Sequence, residues 1–265
     1  MALSQTDLDQ MFIDAAISGD NDEVEKALKR GADIHADDDM ALGQAAGNGH
    51  KETVALLLER GADIHAKYDR ALLWAVEYGC NETVALLLGR GADIHVGNDL
   101  ALRLAARDGH KERVALLLDR GAYIHAENEL ALRRAAEHGH KETALLLLRY
   151  GADPKVTNRV GRGEFANAKL AGWLDQLKQE TRDHFKSDKP SREQCLATDD
   201  KGAPRVQDAV LDACVSNQFG TLIGAPLLAS TDKADRQLFQ DIWDALPEHW
   251  QNQNPSIYVQ FIKEG

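Results

Sequence analysis

Apolar positions between residues 11 and 158 recur in a fixed order that repeats every 30 residues. In each copy a first block, such as Ala41, Leu42, Ala45 and Ala46, sets small apolar residues at helical spacing, and the opposite arc changes from copy to copy. A second block follows, Lys51-Glu-Thr-Val-Ala-Leu-Leu-Leu-Glu-Arg, with Val54, Leu57 and Leu58 on its inward side. It returns as Asn81-Glu-Thr-Val-Ala-Leu-Leu-Leu-Gly-Arg, Lys111-Glu-Arg-Val-Ala-Leu-Leu-Leu-Asp-Arg and Lys141-Glu-Thr-Ala-Leu-Leu-Leu-Leu-Arg-Tyr. Gly49, Gly79, Gly109 and Gly139 close the first block, and Gly61 and its equivalents close the second, as left-handed helix caps do. Each copy therefore predicts two short helices and a turn. A degenerate copy in Met11 to Arg30 keeps Ala15, Ala16, Gly19, Val24 and Leu28 in register. Asp39, Asp69, Asp99 and Glu129 stand where an acid accepts from, or complements, the exposed N–H groups of the first helix. Helices of roughly 10 residues are marginal alone. Stacking the units joins their apolar faces into one core, with a groove along the first helices and turn tips.

Beyond Val156-Thr-Asn-Arg the period fades. Glu164 to Phe185 reads as a longer amphipathic helix carrying Phe165, Leu170, Trp173, Leu174 and Leu177, suited to covering the end of a stack. Ser187 to Arg205 is polar, holds Pro190, Gly202 and Pro204, and reads as a loop or linker. Ala209 to Ile223 echoes a helix pair, with Val210, Leu211, Cys214 and Val215 in the register of Ala41, Leu42, Ala45 and Ala46. Asp232 to Leu246 is a further helix, with Leu238, Phe239, Ile242 and Trp243 inward and Pro247 stopping it; a short apolar run follows at 257–262. The expected organisation is a repeat array over 8–158 (about five units), a capping helix at 159–188 and a helical region at 189–265. The last is read as a worn unit plus cap, a small separate domain, or elements lying back on the groove.

The recurring unit Ala-Leu-x-x-Ala-Ala-x-x-Gly-His-Lys-Glu-Thr-Val-Ala-Leu-Leu-Leu-x-Arg-Gly-Ala-Asp-Ile-His-Ala resembles the ankyrin repeat. It lacks the Thr-Pro-Leu-His start of the first helix and is about three residues shorter, in the turn before that helix. This short variety is similar to repeats of large DNA viruses and some bacteria, and the resemblance covers Leu8 to about Asn158. It implies an all-α, ankyrin-like solenoid with stubby turns and a helical C-terminal capping region. It also implies a protein partner held in the groove.

Comparing the copies with one another locates that groove. Core positions scarcely change, whereas positions 40, 43, 44, 47 and 48, their equivalents at 30-residue intervals, and turn positions such as 37–38 and 67–68 vary. The expected partner-binding residues are Asp38, Met40, Lys67, Tyr68, Arg70, Trp74, Glu77, Tyr78, Arg103, Arg107, Arg133, Arg134 and His138. Tyr, Trp and Arg are common interface anchors. Two alternatives stand beside this: Trp74 filling a gap between adjacent first helices, and the arginines pairing with Asp108, Glu137 and their neighbours. If the arginines are open, they suit a partner with an acidic segment.

Composition narrows the function. Of 265 residues, 43 are Asp or Glu against 31 Lys or Arg, a net charge of −12 that argues against nucleic acid or anionic lipid as a general partner. No apolar run approaches the roughly 20 residues of a membrane span. Three scattered cysteines, Cys80, Cys195 and Cys214, give no disulfide framework and point to a reducing compartment, either the cytoplasm or a host cytosol. His35, His65, His95 and His125 fall roughly 10 Å apart if units stack, too far to converge on one metal ion. His50, His110 and His140 are expected to hydrogen-bond turn backbone. No catalytic constellation, metal site or cofactor is expected, and the chain is read as a monomeric, non-enzymatic binding protein. The rivals are a small effector or catalytic region within 189–265, and self-assembly through a neighbour's groove.

Overall fold

Helices pair along the array as the period requires: α1 (Gln5–Ser18) with α2 (Asn21–Lys29), α3 (Ala36–Gly47) with α4 (Lys51–Glu59), α5 (Ala66–Glu77) with α6 (Asn81–Gly89), and α7 (Val96–Arg107) with α8 (Lys111–Asp119). α9 (Ala126–His138) and α10 (Lys141–Arg149) complete the series. The structure, a computed structural model, describes residues 3–154, 163–186 and 189–253. The side chains of 163–167, Phe165 among them, and the apolar run at 257–262 lie outside the described residues. The chain divides into two compact units, Met1–Thr143 and Ala144–Gly265.

In the first unit α1, α3, α5, α7 and α9 lie side by side in one layer, and α2, α4 and α6 in another. Between the layers the repeated positions are buried: Ala41, Leu42, Ala45 and Ala46 with their equivalents, then Val54 and Leu57 with theirs. Each buried leucine contributes about 1.5–3 kcal/mol, and the alanines let neighbouring backbones close up. Leu58 is only half-buried. The turn between paired helices is fixed by backbone bonds, Gly49 N–H to Ala46 O (3.2 Å) and His50 N–H to Ala45 O (2.9 Å). His50 Nε2 meets Ile17 O of the preceding turn at 2.9 Å. Its ring lies over Gly19, where φ is +75° and a Cβ would come within 2.7 Å of Nδ1, so only glycine fits there.

The opening residues of the first helices depart from the expectation, because within the ranges of α3, α5, α7 and α9 they are not right-handed helix. Asp37–Asp39, Lys67–Asp69, Gly97–Asp99 and Glu127–Glu129 each form a left-handed turn, with φ between 50° and 61°. Asp, Asn and Gly tolerate this conformation. The acid ending each turn does not cap its own helix. It is buried, and Asp39, Asp69 and Asp99 reach instead toward the following unit. Asp39 Oδ1 accepts from Asp63 N–H (2.8 Å), Asp69 Oδ1 from Asp93 N–H (2.7 Å) and Asp99 Oδ1 from Tyr123 N–H (2.7 Å). Asp9 does the same for Asp33 N–H at 2.8 Å. His35, His65, His95 and His125 set Nδ1 against Asp39, Asp69, Asp99 and Glu129. A ladder of His–acid pairs thus ties the register of successive units.

The second unit contains the end of α10 and α11 (Gly163–His184), α12 (Arg192–Cys195), α13 (Asp208–Val215), α14 (Ala225–Leu228), α15 (Lys233–Ala245) and α16 (Glu248–Gln253). Part of the segment read as a loop is ordered: β1 (Leu196–Thr198) pairs antiparallel with β2 (Pro204–Val206), Leu196 opposite Val206. Asp199 organises the intervening turn, its Oδ1 accepting from the N–H of Lys201 and of Ala203. Strands of three residues are too short to show an alternating pattern.

The helix-pair echo exists one residue out of the expected register. Ser216, Asn217 and Gln218 donate to Asp212, Cys214 and Ala213 as Asn48, Gly49 and His50 donate to Gln44, Ala46 and Ala45. Asn217 takes the left-handed place at φ +56°. Ala209, Val210, Ala213 and Cys214 therefore match Ala41, Leu42, Ala45 and Ala46. A π-helical turn, Gly220–Gly224, leads into α14 where a second helix would start. Phe219, Ile223, Leu227, Phe239, Ile242 and Trp243 form the centre of this unit's core.

Burial raises the Cys195 thiol to about 12 and lifts Cys214 further above the ordinary thiol range. Only the half-exposed Cys80 should react with a thiol reagent in the native protein. Titrating thiols before and after denaturation checks this; fast native labelling of a second cysteine would contradict the packing described.

Candidate partner-binding groove

The variable face of the first unit is uneven because α3 carries Gly43 and Gly47 where later copies carry Leu73 and Glu77, Arg103 and Arg107, or Arg133 and Glu137. The space is taken up from α5. A Cβ on Gly43 would lie 3.2 Å from Arg70 Nε and 3.3 Å from the Trp74 ring, and one on Gly47 3.1 Å from the Tyr78 ring. Trp74 thus seals the junction of α3 and α5, half-buried, as the gap-filling alternative had it, with the Arg70 guanidinium 5.3 Å from its ring centroid. Tyr78 rests an edge on Gly47 and stays 67% exposed. Between them is a pocket of about 320 Å³ lined by Gln44, Gly47, Asn48, Trp74 and Tyr78. Ile17, the counterpart of Gly47 on α1, is also exposed.

The charged positions divide by what they touch. Arg70 reaches back to Asp37 O (3.3 Å) and Asp38 O (2.6 Å). Arg103 donates to Gly97 O (2.5 Å), and Arg133 to Asn128 O (3.1 Å) and Glu127 O (3.0 Å). These arginines brace left-handed turns. Arg107 pairs with Asp108 at 2.7 Å and holds that carboxyl below its usual range. Arg134 pairs with Glu137 at 3.1 Å, and Lys67 with Asp38 at 2.7 Å. Met40 is half-buried, with Sδ 3.8 Å from Gln44 Nε2; Glu77 is exposed, and the exposed His138 ring stacks on His140 at 6.3 Å.

Tyr68 differs from its counterparts. It sits on a turn tip at φ +59° and is 82% exposed, where the other copies have Asp38, Asn98 and Asn128. A non-glycine residue in this conformation costs roughly 1–2 kcal/mol, less for Asn or Asp. At position 73, where Arg103 and Arg133 supply braces in later units, its unit has Leu73, which cannot donate. Comparison of the copies marks Gln44, Gly47 and Asn48 as variable and Tyr68, Trp74 and Tyr78 as contacts, but does not show that five of these six line one pocket. The paired glycines in one copy of a first helix were the signal available.

Among the described residues no group of three or more His, Cys, Asp or Glu could hold a metal ion, and no helix is long and apolar enough to cross a membrane. A search of curated proteins returned no match. A family model for ankyrin repeats, three copies long, matches residues 12–98 and 95–158, more than half of the chain. The matched segments are those built from the paired helices and their glycine-capped turns, and the chain belongs to the ankyrin-repeat family.

Proposed function

We propose that the array holds a partner protein against the face of α3, α5 and α7, with Tyr68 and Tyr78 as its main contacts. Ankyrin repeats are in general non-catalytic modules of protein–protein interaction. The observation that carries the reading is Tyr68. An aromatic ring is held 82% exposed on a left-handed turn, where Asn or Asp would be easier to accommodate. Trp74 serves as the rigid wall beside Tyr78. Arg107 and Arg134 are available to an acidic segment only by exchanging Asp108 and Glu137 for it.

The separating experiment uses substitutions that other copies already carry. Tyr68→Asn matches Asn98 and Asn128, and Tyr78→Asn matches Asn48. Tyr68→Asn should raise stability by up to about 1 kcal/mol by relieving the turn, measured by urea denaturation. The double variant should lose proteins that the intact chain captures from an extract. Capture of an unchanged set by a folded double variant would remove the groove reading.

A further inference from the structure

The groove has a direction written in its charge. Residues 1–78 hold sixteen Asp or Glu against seven Lys or Arg, whereas residues 79–143 hold ten against nine. On the variable face the same asymmetry appears. α1 and α3 contain no Lys or Arg, and Asp14, Asp37 and Asp38 are exposed. Lys67 and Arg70 offset part of that charge from the third unit. α7 and α9 contribute Arg103, Arg107, Arg133 and Arg134, with Asp108, Glu127 and Glu137 offsetting part of their charge. The pocket between Gly47, Trp74 and Tyr78 lies on α3 and α5, between the two ends of this layer.

Resting on the binding reading above, we propose that the occupant is a single linear segment of a partner protein of defined polarity. It is basic where it crosses α1 and α3, carries a side chain with an apolar body and a polar tip where it enters the pocket beside Trp74 and Tyr78, and is acidic where it meets α7 and α9. The apolar body of that side chain follows from the Trp74 and Tyr78 ring walls, and its polar tip from the Gln44 and Asn48 amides on the pocket floor. The two charged ends follow from complementarity, which sets orientation and encounter rate more than bulk affinity. A uniformly acidic segment would be repelled from the first two units. A uniformly basic one would meet almost no carboxylate excess beyond α5, where ten acids face nine bases.

The test selects peptides from a random library displayed on phage against the full-length protein, then measures the recovered sequences as synthetic peptides. Peptides that order basic residues, a side chain with an apolar body and polar tip such as Tyr or Gln, and acidic residues in one consistent direction are expected. Asp37→Lys with Asp38→Asn, residues that Lys67, Asn98 and Asn128 already represent at these places, should weaken them about tenfold at low salt. Arg107→Glu, the residue at Glu77 and Glu137, should weaken them through the opposite end, and added salt should erase both effects. Peptides lost with Tyr68→Asn/Tyr78→Asn but lacking charge order would overturn this inference and leave the groove reading intact. Peptides indifferent to both tyrosines would overturn the groove reading itself. Recovery of no peptide would exclude a linear segment as occupant.

Discussion

Replacing Arg149 by alanine should destabilise the second unit by about 3–5 kcal/mol, the largest effect expected of any single substitution considered. Arg149 Nε is 2.7 Å from Asp212 Oδ1, its Nη2 2.8 Å from Asp212 Oδ2, and its Nη1 2.8 Å from Asp208 Oδ2. Its side chain and that of Asp212 are 16% and 15% exposed, so the pair is shielded from water. Its carbonyl accepts from Trp250 Nε1 at 2.9 Å, which binds α10 to α16. Removing the guanidinium leaves Asp212 buried without its main counter-charge, close to Asp208 and Glu180.

Burial already pushes the Asp212 carboxyl above its ordinary value, Arg149 pulls it down, and Asp208 and Glu180 push it up again. Without Arg149 only the upward influences remain. A carboxyl with a folded-state pKa above its unfolded value binds more protons when folded, between those two values. The folded state is then favoured as pH falls through that window. The deficit of Arg149→Ala should therefore be widest at neutral pH and narrow on acidification through the raised carboxyl range. Urea denaturation across pH, read from Trp243 and Trp250 fluorescence, measures both. A loss below about 1 kcal/mol at neutral pH would mean the pair behaves as a surface salt bridge. A deficit that widened in acid would refute the assignment to Asp212.

Asp69→Ala should cost the first unit about 2–4 kcal/mol, since hydrogen bonds to a charged acceptor contribute about 1.5–3 kcal/mol each. The Asp69 side chain is 6% exposed. It receives the Asp93 N–H at 2.7 Å and faces His65 Nδ1 at 3.1 Å. Alanine supplies no acceptor and is strained at φ +54°. Asparagine retains the amide oxygen and tolerates the left-handed turn, so Asp69→Asn should cost less than half as much. Because the bond joins two neighbouring units, its loss should also loosen their coupling. The denaturation slope should fall along with the midpoint, as expected when a repeat array ceases to unfold as one. Alanine and asparagine variants of equal stability would show that the acid does not hold the units together.

The 30-residue period placed the paired helices of the array correctly because each is set by neighbours three or four positions away. Ala41, Leu42, Ala45, Ala46, Val54 and Leu57 announce their burial locally, and Gly49 announces the turn. The aromatic residues of the variable face were equally legible, since copies of one motif can be compared within one chain. The left-handed turns were less so. Asp37 to Asp39, Asn98, Asp99 and Asn128 are residues that tolerate that conformation, but the same residues also cap helices. The choice between these roles turns on an N–H group that arrives 24 residues later, as Asp63 does at Asp39.

Tertiary structure alone decided what the groove's charges do. Nothing near Arg70 in the chain indicates that it braces a turn more than thirty residues earlier, or that Gly43 leaves it room to do so. It likewise decided the β1–β2 hairpin, the register of α13, and the joining of Arg149 to two acids about sixty residues away. Periodicity records which face of a helix is buried, because burial repeats with the helix. It does not record which polar groups meet, because those meetings depend on how separate segments are brought together.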